Sequence, residues 1–108
     1  MFRSEIHLAI VALLAATTAS QAADPKAGRA LAAKCQVCHG LDGIAKIPIA
    51  PHLAGESEIY LQTQLKAFRS GKREHEMMSV VAKDLTDQEI ADLAAWYSSI
   101  SINVTMPD

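Results

Sequence analysis

The sequence predicts an all-α fold in which helices wrap around one covalently attached group. Three observations predict it. Apolar residues recur at helical spacing with capping residues where helices would begin, and no stretch reads convincingly as a strand. The run Cys35-Gln36-Val37-Cys38-His39 is a C-x-x-C-H motif, the attachment signal for c-type haem. The segment that follows an N-terminal leader is short, roughly 85 residues, and a chain of that size usually needs a staple beyond its own core.

The leader is Met1 to Ala23, which reads as a secretory signal peptide. Arg3 supplies a thin positive n-region, weakened by Glu5 and His7. Leu8 to Ala16 is unbroken apolar, and Ser20-Gln21-Ala22 places small residues where a signal peptidase reads, so cleavage is expected after Ala22 or Ala23. An uncleaved anchor is the alternative, but so short an apolar run cannot cross a hydrocarbon core that needs about 20 residues. Cleavage therefore leaves one domain, 24–108, with no stable membrane span and an expected periplasmic location. Arg3 and Glu5 leave together, so the formal charge of −2 is unchanged. That balance gives no sign of nucleic-acid binding.

The motif carries its own chemistry. Two thiols three residues apart lie on one side of a helical turn, where each can add to one haem vinyl group. His39 follows at once and supplies the proximal iron ligand. The implied cofactor is one covalent haem c on Cys35 and Cys38. Other readings of C-x-x-C exist. A thioredoxin-like pair needs a strand–helix setting, a zinc site needs further ligands, and a structural disulfide needs only proximity. An exported chain favours haem attachment, which in bacteria takes place outside the cytoplasm.

The elements follow in order. Asp24 caps a first helix, Pro25 opens it, and it runs to about Lys34, with small Gly28 and Ala32 on one face. Gly40 to Glu56 reads as loop; its Ile44, Ile47, Ile49 and Leu53 are expected to lie against something flat and apolar, the haem. Ser57 caps a second helix to about Ser70, with Leu61, Leu65 and Phe68 inward and Gly71 closing it. Thr86 and Glu89 form a capping box for the last helix, about Asp87 to Ser99. Leu85 and Ile90 form its staple, and Ile90, Leu93, Ala94 and Tyr97 an inward stripe. The tail from Ile100 has no clear period.

Across the whole segment the chain resembles a class I c-type cytochrome. The resemblance rests on the first helix and C-x-x-C-H-G, then Pro51-His52-Leu53-Ala54-Gly55, Tyr60-Leu61 and Gln64-Leu65. Phe68-Arg69-Ser70-Gly71-Lys72-Arg73, a methionine, and Leu85-Thr86-Asp87-Gln88-Glu89-Ile90 before an aromatic pair complete it. It is most similar to domains of periplasmic dihaem cytochromes and to the cytochrome subunit of flavocytochrome c sulfide dehydrogenases. The resemblance implies a small class I cytochrome c fold, with first and last helices crossing at Gly28 against Trp96 or Tyr97. It implies that a loop proline carbonyl orients His39, with Pro51 the candidate and Pro48 the alternative. It implies a methionine as distal ligand, seven residues before the apolar residue that precedes the helix cap; counted back from Leu85 this is Met78. Met77 is its neighbour and His75 the rival, while His52 reads as a loop histidine and Met106 as an outside candidate.

The function the resemblance implies is one-electron transfer with His/Met ligation, either free-standing or as the electron-accepting subunit of an oxidoreductase, rather than enzymatic catalysis. Redox proteins are the expected partners, among them a flavoprotein dehydrogenase or a terminal oxidase. The competing class is a haem enzyme or gas-binding sensor with an open distal site. Lys66, Arg69, Lys72 and Arg73, opposite in sign to Asp84, Asp87, Glu89 and Asp92, offer patches for partner docking, or simply solvated helix faces.

Overall fold

The structure, a computed structural model, describes residues 21–108. The leader predicted over 1–23 lies outside the described residues except for its last three. Among the described residues there is no strand, and no helix is long and apolar enough to cross a membrane.

Helix α1 is Pro25–Leu31. The Asp24 carboxylate accepts the Lys26 amide at 2.9 Å, and Pro25 sits in the first turn, where its missing N–H costs nothing. The predicted extension to Lys34 exists but tightens into a 3-10 turn, Ala32–Lys34. After Cys35 a single turn, α2, spans Gln36–His39 and stops at Gly40, whose φ of 75° suits glycine. Helix α3 is Glu58–Ser70, capped by the Ser57 hydroxyl on the Tyr60 amide at 3.0 Å and closed by left-handed Gly71. A short helix, α4, spans Met78–Ala82 and was not expected. Helix α5 is Asp87–Ser98; its capping box closes reciprocally, Glu89 N–H to Thr86 Oγ1 at 3.1 Å and Thr86 N–H to Glu89 Oε1 at 3.0 Å.

Helix α5 is the hub: α1 and α3 both pack on it, and α4 packs on α3. The predicted stripe is inward throughout, with Ile90, Leu93, Ala94 and Tyr97 all buried. Leu93, Ala94 and Tyr97 meet Ala32 and Leu61 in the core, with Leu53, Leu65, Leu85 and Trp96 packed at its edge. The α1–α5 crossing is very close. A Cβ built at Gly28 would strike the Asp92 carbonyl and approach the Trp96 Cβ to 2.9 Å. Trp96, of the two aromatics expected there, is therefore the one that faces Gly28. Backbone cannot step aside as a flexible side chain can, so Gly28→Ala is expected to cost about 1–3 kcal/mol or more by overpacking. A thermal melt followed by circular dichroism checks this, and a wild-type midpoint would contradict the close crossing.

The charge clusters turn out to be largely structural. Arg69 donates to the Leu85 carbonyl at 3.0 Å and to the Asp87 carboxylate at 2.6 Å, joining α3 to the start of α5. Arg73 donates to Gln64 Oε1 at 2.8 Å and lies over the Phe68 ring, 4.5 Å from its centroid. Glu89 is spent on the capping box. Asp92 is buried and accepts the Asp24 amide and the Gln88 side chain, both at 2.8 Å. Of the basic cluster, only Lys66 and Lys72 have no such partner among the described residues, so the docking patch suggested by the sequence shrinks to those two.

Asp87 sits below the ordinary carboxylate range because the Arg69 guanidinium hydrogen-bonds it and faces it with positive charge. A lowered folded pKa stabilises in full above the unfolded value, about 3.9, and the effect fades as pH falls through the folded one. Because the Asp87 side chain is exposed, the effect is small. The urea midpoints of wild type and Asp87→Asn should differ at neutral pH and converge in acid below about pH 4. A gap that does not change with pH would contradict the pairing.

Candidate functional site

The candidate site is built on α2. The 3-10 turn delivers the chain to Cys35, and one helical turn then carries Cys38 and His39, with the His39 amide donating to the Cys35 carbonyl at 2.9 Å. Both cysteines are half-buried, and no disulfide joins them. Burial pushes the Cys35 thiol up, while the Tyr97 hydroxyl and Lys34 pull it the other way. Among the described residues no group of three or more His, Cys, Asp or Glu could hold a metal ion, so nothing there completes a zinc site around the cysteines.

His39 is buried, and its Nδ1 lies 2.9 Å from the Pro51 carbonyl oxygen. A carbonyl can only accept, so Nδ1 carries the proton and donates it. Nε2 is left with a free lone pair and, among the described residues, no hydrogen-bond partner. That is the state an imidazole needs to ligate iron, with its tautomer and ring orientation fixed by a carbonyl behind it. These residues fit a haem. The orienting proline is Pro51, and Pro48 makes no such bond.

The aromatic pair of α5 holds the motif from behind. Tyr97 Oη donates to the Gly40 carbonyl at 3.2 Å, and Trp96 Nε1 donates to the Leu41 carbonyl at 3.0 Å. Both acceptors lie within two residues of His39. Burial drives the Tyr97 hydroxyl far above its usual range, with Cys35 adding to the shift, so Tyr97 stays a neutral donor. In the sequence these aromatics read as packing residues; the signal for their second role is that a buried Tyr or Trp needs a partner for its polar end.

The loop from Gly40 to Glu56 is held by hydrogen bonds more than by burial. Lys46 N–H reaches the Cys38 carbonyl at 2.7 Å, Leu53 and Ala54 both reach the Gly43 carbonyl, and Ala45 N–H reaches His52 Nδ1 at 2.9 Å. Leu53 joins the core edge, but Ile44 and Ile49 are exposed among the described residues. His52 is a loop histidine, as expected.

Met78 opens α4 and is half-buried, whereas Met77 is 45% exposed. Met78 and Ala82 are one turn apart, and Ala82 is fully buried. His75 is exposed and already employed: its Nδ1 accepts the amides of Met77 and Met78 at 3.2 and 3.3 Å, in the manner of a cap for α4. Met106 is exposed in the tail.

The cytochrome c family profile matches residues 25–101, which takes in α1, the C-x-x-C-H turn and all of α5. The chain belongs to the cytochrome c family. One covalent haem c goes with that membership and with the spacing of Cys35 and Cys38. Cytochrome c-554(548) of Halomonas halodenitrificans is 43% identical over 81 residues, covering 72% of this chain and 98% of its own. A thiosulfate dehydrogenase electron acceptor of Thiomonas intermedia is 42% identical over 91 residues, covering 82% of this chain and 40% of its own. The crystal structure of reduced recombinant cytochrome c4 from Pseudomonas stutzeri superposes with a TM-score of 0.71 at 35% identity, covering 81% of this chain and 50% of that one. The chain thus spans about half the length of the cytochrome c4 chains it matches. The fold is the all-α class I cytochrome c fold.

Proposed function

We propose that this cytochrome c is an exported, periplasmic one-electron carrier with a closed iron site. In this reading, residues 1–23 are a cleaved leader and 24–108 the working domain. Cys35 and Cys38 attach the haem, His39 is the proximal ligand and Met78 the distal one. The observation that carries the reading is the Nδ1–H of His39 donating to the Pro51 carbonyl at 2.9 Å, which leaves Nε2 free for iron. The half-buried position of Met78 on the first turn of α4 supports it over exposed Met77, and the cap made by His75 Nδ1 speaks against the rival histidine.

When bound, the haem supplies a one-electron couple whose potential a thioether ligand raises. The protein's part is to hold that couple still. Two cysteines, the Pro51-oriented imidazole and the two α5 donors to Gly40 and Leu41 fix the motif from several sides. Small rearrangement on gaining an electron is what a carrier requires. The partners are redox proteins. The similarity to a thiosulfate dehydrogenase electron acceptor favours a periplasmic dehydrogenase as donor, with this chain free-standing or as its electron-accepting subunit; a flavoprotein dehydrogenase or a terminal oxidase would be approached in the same way.

The test is carbon monoxide added to the reduced protein. A closed site should leave the absorption spectrum unchanged. A carbonyl adduct would mean an open distal position and move the protein to the haem enzyme or gas-sensor class.

A further inference from the structure

We propose that Arg69 is a positioning residue for the distal ligand: its guanidinium clamps the segment bearing Met78 onto α3 and so keeps the iron site closed. The inference rests on the assignment of Met78 made above.

The segment in question runs from Gly71 to Thr86, between α3 and α5, and its own structure is slight. Helix α4 has five residues, far too few to be stable alone. Its place must be set by its ends and by α3, against which it packs. The far end is held by Arg69, whose two terminal nitrogens donate separately, one to the Leu85 carbonyl at 3.0 Å and the other to the Asp87 carboxylate at 2.6 Å. The near end is held by Arg73, whose amide donates to the Ala67 carbonyl at 3.1 Å and whose guanidinium reaches Gln64 and the Phe68 ring. Both ends of the methionine-bearing segment are therefore tied to the same helix. The Arg69 tie is the stronger. It is charge-assisted and two-pronged, with the Arg69 side chain half-buried though Asp87 is exposed, and a lysine, as a single point charge, cannot reproduce its fork.

Imidazole binding to the oxidised holoprotein reads this directly, since an outside ligand binds only when the methionine has let go, and its apparent affinity scales with that fraction. The titration is done at a temperature where far-UV circular dichroism shows every variant folded. Met78→Ala marks the upper limit of affinity. Arg69→Ala is expected to bind imidazole about tenfold more tightly than wild type, as loss of a charge-assisted clamp implies. Arg69→Lys should fall between them. A residue that served only global stability would lower the melting temperature and leave imidazole affinity unchanged. Wild-type affinity in Arg69→Ala, with Met78→Ala raised, overturns the inference alone. Wild-type affinity in Met78→Ala overturns the ligand assignment beneath it. Should Arg69→Ala fail to accumulate, Asp87→Ala removes one prong and keeps α3 intact; a rise of about threefold is expected there, and no rise overturns the inference.

Discussion

Replacing both Cys35 and Cys38 with alanine is expected to abolish covalent haem and most folded protein together. Among the described residues nine apolar side chains are buried, and four of those are alanines (Ala32, Ala82, Ala94 and Ala95). Ile90 is the largest side chain that is completely buried. So small a core cannot offset the conformational entropy of a chain this size without another source of apolar contact. A porphyrin joined to Cys35 and Cys38 would provide that contact. Loss of both attachments should leave far-UV helicity well below wild type. In the wild-type protein, acid–acetone extraction should leave the colour with the polypeptide, and the mass should exceed that of the apoprotein by one haem. Colour in the solvent, or a double mutant as helical as wild type, would contradict this.

Met78→Ala should have the next largest effect. With the thioether gone, the methionine–iron charge-transfer band at the red end of the spectrum should vanish, the potential should fall, and cyanide or carbon monoxide should bind. Met77→Ala should do none of these. The two residues are adjacent but differently placed: Met77 is 45% exposed, while Met78 is half-buried and lies one turn before buried Ala82. The opposite pattern would put the ligand one residue earlier. If neither change mattered, His75 would lead, at the cost of its contacts with the amides of Met77 and Met78.

Where sequence and structure agree, the cause is local. Asp24-Pro25, Ser57 and the Thr86–Glu89 box each satisfy orphan amides with their own side chains, so the three longer helices begin where the sequence places them. The C-x-x-C-H run specifies its chemistry in five consecutive residues. What stayed hidden is long-range or marginal. Helix α4 has no side-chain cap of the usual kind and only five residues, so it leaves no periodic trace. Arg69 and Asp92 read as surface charge because their partners lie far along the chain: Leu85 and Asp87 for Arg69, the Asp24 amide for Asp92. The hydroxyl of Tyr97 and the indole of Trp96 reach back 57 and 55 residues to the carbonyls behind His39. No local pattern announces such pairings.

A potentiometric titration of the holoprotein, followed at the methionine–iron band, tests the carrier reading most directly. The account predicts that the oxidised protein carries the band and loses it on reduction in a single reversible wave, with a slope of about 59 mV per decade for one electron. An oxidised protein without the band, or a wave that needs more than one electron, would contradict it.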